Sequence, residues 1–202
     1  RTGTPVLIVV ASEDTVVSIP AIARFANRLK AGRMIMLAGA AGIGICLCPT
    51  PGRDMADGIG PARALAEAGC TVSLGSDSHA VIDLFEEARA VELDERLATG
   101  VRGHHTAAAL LRAATMAGHR SLGWNSVGVL APGMAADFVS VRLDSVRTAG
   151  TELDHAVEAA VFAATAADVH QVVIAGQVVV RDGAHVSIDV AGELDRWMGA
   201  NR

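Results

Sequence analysis

Tyrosine is absent from this 202-residue chain, and aromatic residues make up only 3% of it. A chain so poor in large rings is not built around aromatic recognition surfaces. Its apolar content, 51%, comes instead mostly from Ala, Val and Gly, which suits close helix-on-sheet packing. Positive charge is also scarce, with 17 Lys and Arg against 22 Asp and Glu and a net charge of −5. No basic run occurs, which argues against a nucleic-acid partner held through phosphates. Three cysteines, Cys46, Cys48 and Cys70, make a poor disulfide framework and fit a reducing cytoplasm. The opening Arg1-Thr-Gly-Thr-Pro5 leads straight into a strand-like run with no signal-peptide cleavage pattern, so a cytoplasmic location is expected. The apolar run from Met34 to Cys48 is shorter than the roughly 20 residues of a spanning helix, rich in Gly and closed by Pro49 and Pro51. It reads as two buried strands end to end, with no membrane partner.

The length admits one domain, or one and a small second. Pro5–Val10 reads as a buried strand, Pro20–Lys30 as a helix and Met34–Leu37 as a second strand. From about Ala41 the pattern becomes strand (Ile45–Pro49), loop (Asp54–Gly58), helix (Pro61–Ala68, closed by Gly69) and strand (Thr71–Gly75). Helices over Asp83–Ala98 and Thr106–Ala117 follow, the second ending at Gly118. In the first of these, Leu84, Ala88 and Val91 form an apolar stripe with Leu93 and Leu97 beside it, and Glu92 with Arg96 forms a surface i,i+4 pair. The alternation of strand and helix predicts parallel α/β architecture. The tail differs: a turn feeds a strand within Val127–Val141, and Val169–Val180 alternates around Gly176, with Asp182-Gly183 as a turn.

The segment Thr71-Val-Ser-Leu-Gly-Ser-Asp-Ser-His-Ala80 carries the most chemistry. An apolar strand ends in Gly75-Ser-Asp-Ser78, which sets one carboxylate, Asp77, at the strand's C-terminal edge. In (β/α)₈ barrels the loops at that edge build the active site. Other candidates have plainer readings. Arg53, Asp54 and Asp57 read as solvated loop charges. Cys46 and Cys48 share one face of a strand and read as buried apolar cysteines, since a fourth zinc ligand is missing beside Cys70. Gly39-Ala-Ala-Gly-Ile-Gly44 lacks the spacing of a dinucleotide turn.

Three stretches resemble the end of an amidohydrolase-superfamily enzyme in the right order. They are the Ala107–Thr115 helix with Gly118 and Ser121-Leu-Gly123, then Gly128–Asp137, then Val172–Gly176 with Val178–Asp182. Within that superfamily, Leu47-Cys-Pro-Thr50, Asp54–Pro61, Gly75-Ser-Asp-Ser-His79 and Glu86–Leu93 are most similar to formimidoylglutamate deiminases of histidine catabolism. The resemblance implies a partial (β/α) barrel with a small C-terminal β-sandwich portion, an α/β fold. Its parts would be barrel over 41–125 and sandwich strands with a C-terminal helix over 126–202. It implies hydrolysis of a non-peptide C–N bond in a small-molecule substrate, with Zn as cofactor. Asp77 would be the catalytic residue and metal ligand, and Ser78 and His79 would line the substrate pocket. A homo-oligomer is expected as well, because an incomplete barrel leaves strand edges open.

The family's His-x-His pair does not occur in this sequence, and His104-His105 are adjacent. A lone carboxylate cannot hold zinc, since catalytic sites supply three protein ligands. The chain alone is therefore expected to be inactive. Residues 1–40 resemble the C-terminal strand–loop–helix–strand unit of α/β-hydrolases, with Asp14 in the position of the triad acid. A chimera joined near Gly39–Gly44 is the simplest account. No Gly-x-Ser-x-Gly elbow occurs, so a serine hydrolase would need its nucleophile elsewhere. A non-catalytic fragment is the remaining alternative.

Overall fold

The structure is a computed structural model that describes residues 44–77 and 81–200, and it divides into two compact units, Arg1–Trp124 and Asn125–Arg202. The α/β-hydrolase-like stretch and Asp14 lie outside the described residues.

In the first unit β1 (Gly44–Leu47) pairs in parallel with β2 (Thr71–Leu74), in the register Gly44↔Thr71 to Leu47↔Leu74. Parallel neighbours need a long crossover, and here it contains α1 (Pro49–Asp54) and α2 (Ala62–Glu67). The short helix α1 was not expected from the sequence. Pro49 starts it, because proline at the first helical position loses only an N–H that would be unpaired anyway. Gly69 closes α2 at φ +86°, its N–H reaching Ala66 O while Cys70 N–H reaches Leu65 O. This paired closure turns the chain directly into β2.

The next helix, α3 (Leu84–Thr99), is capped by Asp83, whose carboxylate accepts from Phe85 N at 2.9 Å and Glu86 N at 3.4 Å. Gly100 ends it at φ +70°. Ala88, Ala90 and Val91 are buried, but Leu84, Leu93 and Leu97 are exposed. The expected stripe is therefore rotated, and three carboxylates, Glu87, Glu92 and Glu95, face inward with the alanines.

Thr106 caps α4 (Ala107–Arg112), accepting from Ala109 N. The helix does not stop at Gly118. It passes through a π-helical turn (Ala113–Ala117) into α5 (Gly118–Ser121), Gly118 keeping right-handed angles of −60° and −48°. A glycine ends a helix only where the chain enters the left-handed region, and here Gly123 does so at φ +77°. The π turn packs on β2, burying Ala113 and Ala117, and a Cβ added at Gly44 would lie 3.4 Å from Ser121 Cβ. Small side chains thus bring helix and sheet together, as the composition predicted.

The second unit holds a four-stranded antiparallel sheet in sequential order: β3 (Phe138–Val141), β4 (Val169–Ile174), β5 (Gln177–Arg181) and β6 (Ala184–His185). Both tight turns have two positive-φ residues, Ala175 and Gly176 at +50° and +78°, then Asp182 and Gly183 at the same values. That is the turn geometry matched to strand twist. Between β3 and β4 runs α6 (Ala156–Phe162), and α7 (Val190–Ala200) closes the described chain. Among the described residues this unit has one sheet layer.

Asp168 anchors the unit. Its buried carboxylate receives Arg147 Nε at 2.7 Å, Arg147 Nη2 at 2.9 Å and Thr165 N at 2.8 Å. The Arg147 guanidinium outweighs the cost of burial, with Ser145 and Thr165 assisting, and holds the carboxyl well below the usual range. A depressed folded value means that this group's stabilisation is complete above the unfolded value of about 3.9 and shrinks as pH falls from there toward the folded value. Urea midpoints of the second unit's transition should thus decline below about pH 4, and Asp168→Asn should start lower and lose this part of the slope. Equal slopes for both proteins would refute the assignment.

Candidate active site

Because β1 and β2 are parallel, the loops that follow them leave from the same edge of the sheet. Gly75 N–H donates to Leu47 O at 3.0 Å and extends the ladder to that edge. Asp77 stands three residues beyond the end of β2, exposed, with φ +35°. A non-glycine residue in the left-handed region is uncommon, and Asp tolerates it better than most. Such backbone strain collects at functional sites. The strand-end position expected for Asp77 is therefore observed. Ser78 and His79 lie outside the described residues.

The loop after β1 is held by a contact that the sequence reading missed. Glu87, completely buried on the first turn of α3, accepts from Thr50 N at 3.0 Å and from Thr50 Oγ1. Thr50 is itself only 3% exposed. One carboxylate thereby ties the start of α1 to α3 beside the edge that carries Asp77. The Glu86-Glu87 pair at a helix start was the available signal, but periodicity assigned Glu87 no burial. Its neighbour Glu86 instead bonds Arg53 at 2.7 Å on the surface, so Arg53 is a paired surface charge. Asp54 and Asp57 are exposed, as read.

Cys46 and Cys48 are not buried apolar cysteines: Cys46 is exposed and Cys48 half-buried. On β1 the alternate positions Gly44 and Cys46 face solvent, while Ile45 and Leu47 are half-buried. Burial, then the charge and hydrogen bond of Cys46, then Asp77 and Glu87, push the Cys48 thiol up to about 11. It keeps its proton at neutral pH and is no thiolate nucleophile.

Glu92 is not a surface residue either. It is completely buried, and its carboxylate accepts from Arg96 Nε at 2.7 Å, Gly103 N at 2.8 Å and His105 N at 2.7 Å. Burial opposes its ionisation, but Arg96 and the two backbone N–H groups prevail and keep the carboxyl below its ordinary range. His104 and His105 follow the far end of α3, His104 Nε2 lying 2.7 Å from Thr99 Oγ1. Burial lowers the His105 value, and its Nε2 is buried without a partner. Among the described residues no three His, Cys, Asp or Glu side chains come together to hold a metal.

The Amidohydrolase family profile matches residues 24–179. The chain belongs to the amidohydrolase family. It is 34% identical over 177 residues to the 5-methylthioadenosine/S-adenosylhomocysteine deaminase of Pelotomaculum thermopropionicum, covering 86% of the chain and 40% of the relative. It is 31% identical over 163 residues to the formimidoylglutamate deiminase of Pseudomonas aeruginosa, covering 73% of the chain and 36% of that protein. Among solved structures, an adenosine deaminase from Xanthomonas campestris with bound zinc aligns with a TM-score of 0.71 at 28% identity, over 79% of this chain and 37% of the other. The chain thus spans about two fifths of the length of the relatives it matches.

The family assignment agrees with the superfamily resemblance read from the sequence, and the mixed α/β content agrees with the fold class. The narrower deiminase resemblance is matched by the weaker of the two relatives. The α/β-hydrolase resemblance of residues 1–40 finds no support, since the family match already begins at residue 24. A zinc ion of the kind in the Xanthomonas structure does not fit the described residues alone, which offer Asp77 but no three-ligand set. No helix among the described residues is long and apolar enough to cross a membrane.

Proposed function

We propose that this chain is the C-terminal part of a hydrolytic deaminase, in which Asp77 accepts the proton of the water that attacks an amidine carbon. The observation that supports the reading is Asp77 itself, a carboxylate at φ +35° just beyond the C-terminal end of β2, a strand whose sequence resembles the last barrel strand of the superfamily. N-formimino-L-glutamate is the substrate favoured by the wording of residues 47–50, 54–61 and 75–79. Water adds to the C=N carbon as its proton passes to the Asp77 carboxylate. Asp77 returns that proton to the former imine nitrogen of the tetrahedral centre, the hydroxyl proton follows to the same nitrogen, and the bond from carbon to that nitrogen breaks, giving N-formyl-L-glutamate and ammonia. The Glu87–Thr50 tie keeps the neighbouring loop in place while this occurs. By itself the chain is expected to release no ammonia.

A second reading, deamination of a 5-methylthioadenosine or S-adenosylhomocysteine type of substrate, is favoured by the higher identity to the Pelotomaculum enzyme. A graft separates the two. Residues 44–202 would replace the corresponding C-terminal part of the Pseudomonas deiminase and, separately, of the Pelotomaculum deaminase. Ammonia release from formiminoglutamate by the first graft is the expected result. Activity confined to the second graft would establish the nucleoside reading, and two folded but inactive grafts would end both.

A further inference from the structure

Cys46 and Cys48 form a pair that the proposed deaminase chemistry leaves unused. Cys46 lies on β1, and Cys48 is the residue that follows the strand and precedes α1. Their sulfurs converge: a Cβ built on Gly75 would lie 3.0 Å from Cys46 Sγ and 3.3 Å from Cys48 Sγ. Gly75 leaves that space open. All three cysteines are free thiols.

We propose that Cys46 and Cys48 form a two-thiolate site for a soft monovalent cation, Cu(I). Thiolate sulfur selects soft ions, and metal–sulfur bonds of about 2.3 Å let one ion bridge sulfurs up to about 4.6 Å apart. Zinc is poorly served, because it wants four ligands and no third or fourth joins the pair among the described residues. Cu(I), with a filled d shell, is satisfied by two thiolates. A disulfide is the weaker use of the pair. Residues two apart along extended chain have Cα atoms about 6.4–6.8 Å apart, at the upper limit for a disulfide. On binding, two S–H bonds break, two S–Cu bonds form and two protons pass to solvent. The ion enters and stays as Cu(I), so no electron moves. Cys70 cannot take part: it precedes β2, whose residue opposite Cys46 is Ser73, three residues further along.

The test is an anaerobic titration of the full chain with Cu(I) held by bicinchoninate as competitor. One equivalent should bind, and Cys70→Ser should bind as the parent does. Cys46→Ser or Cys48→Ser should weaken binding at least about 100-fold, and Gly75→Ala, which puts a methyl between the sulfurs, about 10–100-fold. A second measurement needs no variant. Bound Cu(I) should protect Cys46 and Cys48, but not Cys70, from iodoacetamide, as read by peptide mass spectrometry. Unchanged affinity in Cys46→Ser, protection shared equally by Cys70, or no copper taken from bicinchoninate would overturn the proposal.

Discussion

Asp77→Asn, made in whichever graft is active, is expected to lower ammonia release by about 10²–10⁴-fold, the usual worth of a positioned general base. Asparagine is nearly the same size and also tolerates the left-handed backbone that position 77 adopts at φ +35°. Asp77 is exposed as well, so the exchange should move stability by no more than about 0.5 kcal/mol. The combination is the informative result, because it separates proton transfer from folding. Asp77→Ala would confuse the two, since alanine at that backbone angle brings strain of its own. Stability can be compared in the 202-residue chain by urea unfolding, and activity in the graft. If Asp77→Asn in the graft retained more than a tenth of the parent rate, Asp77 would not be the base.

Glu92→Ala should destabilise the first unit by about 3 kcal/mol, near the low end for removing one partner of a buried pair. The carboxylate binds one side chain and two backbone N–H groups that close the loop between α3 and α4. Its loss leaves Gly103 and His105 N–H without their acceptor, while Arg96, with 26% of its side chain exposed, can turn to water. Against a typical domain stability of about 5–15 kcal/mol, that is a large loss. The sequence reading, a surface i,i+4 pair, predicts only about 0.3–0.5 kcal/mol. A urea midpoint measured for the variant therefore chooses between the two. Faster hydrogen exchange at Gly103 and His105 should accompany the larger value, whereas an effect under about 1 kcal/mol would mean that the loop does not depend on Glu92.

The contrast at Glu92 shows where the sequence could be read and where it could not. Local signals were legible when the physics is local. The helices read from Asp83 and Thr106 do start there, Gly69 ends its helix, and Asp182-Gly183 makes its turn, because each depends on side chains and dihedrals within a few residues. Gly118 misled because a glycine is only permitted to end a helix. The packing of the π turn on β2 carries the helix past it. The buried glutamates were invisible for a related reason. Periodicity scores a carboxylate as polar, yet Glu87 and Glu92 are inside because backbone N–H groups 37 and 11 residues away need their oxygens.

The cysteines followed the same logic. Alternation was applied to Cys46 and Cys48 as one strand, but the strand ends at Leu47, and the strand's neighbours decide which face meets solvent.

By itself the sequence determined the family, the alternation of elements in the first unit, the hairpins of the second and the presence of a carboxylate just beyond the second strand. These are written in short motifs whose geometry is set within a few bonds. Only the tertiary structure decided that Glu87 closes on Thr50, that Glu92 holds a distant loop and that two thiols meet over Gly75. Each of those joins groups far apart in the chain or on different elements, and a linear pattern carries no record of which partner a buried group will find.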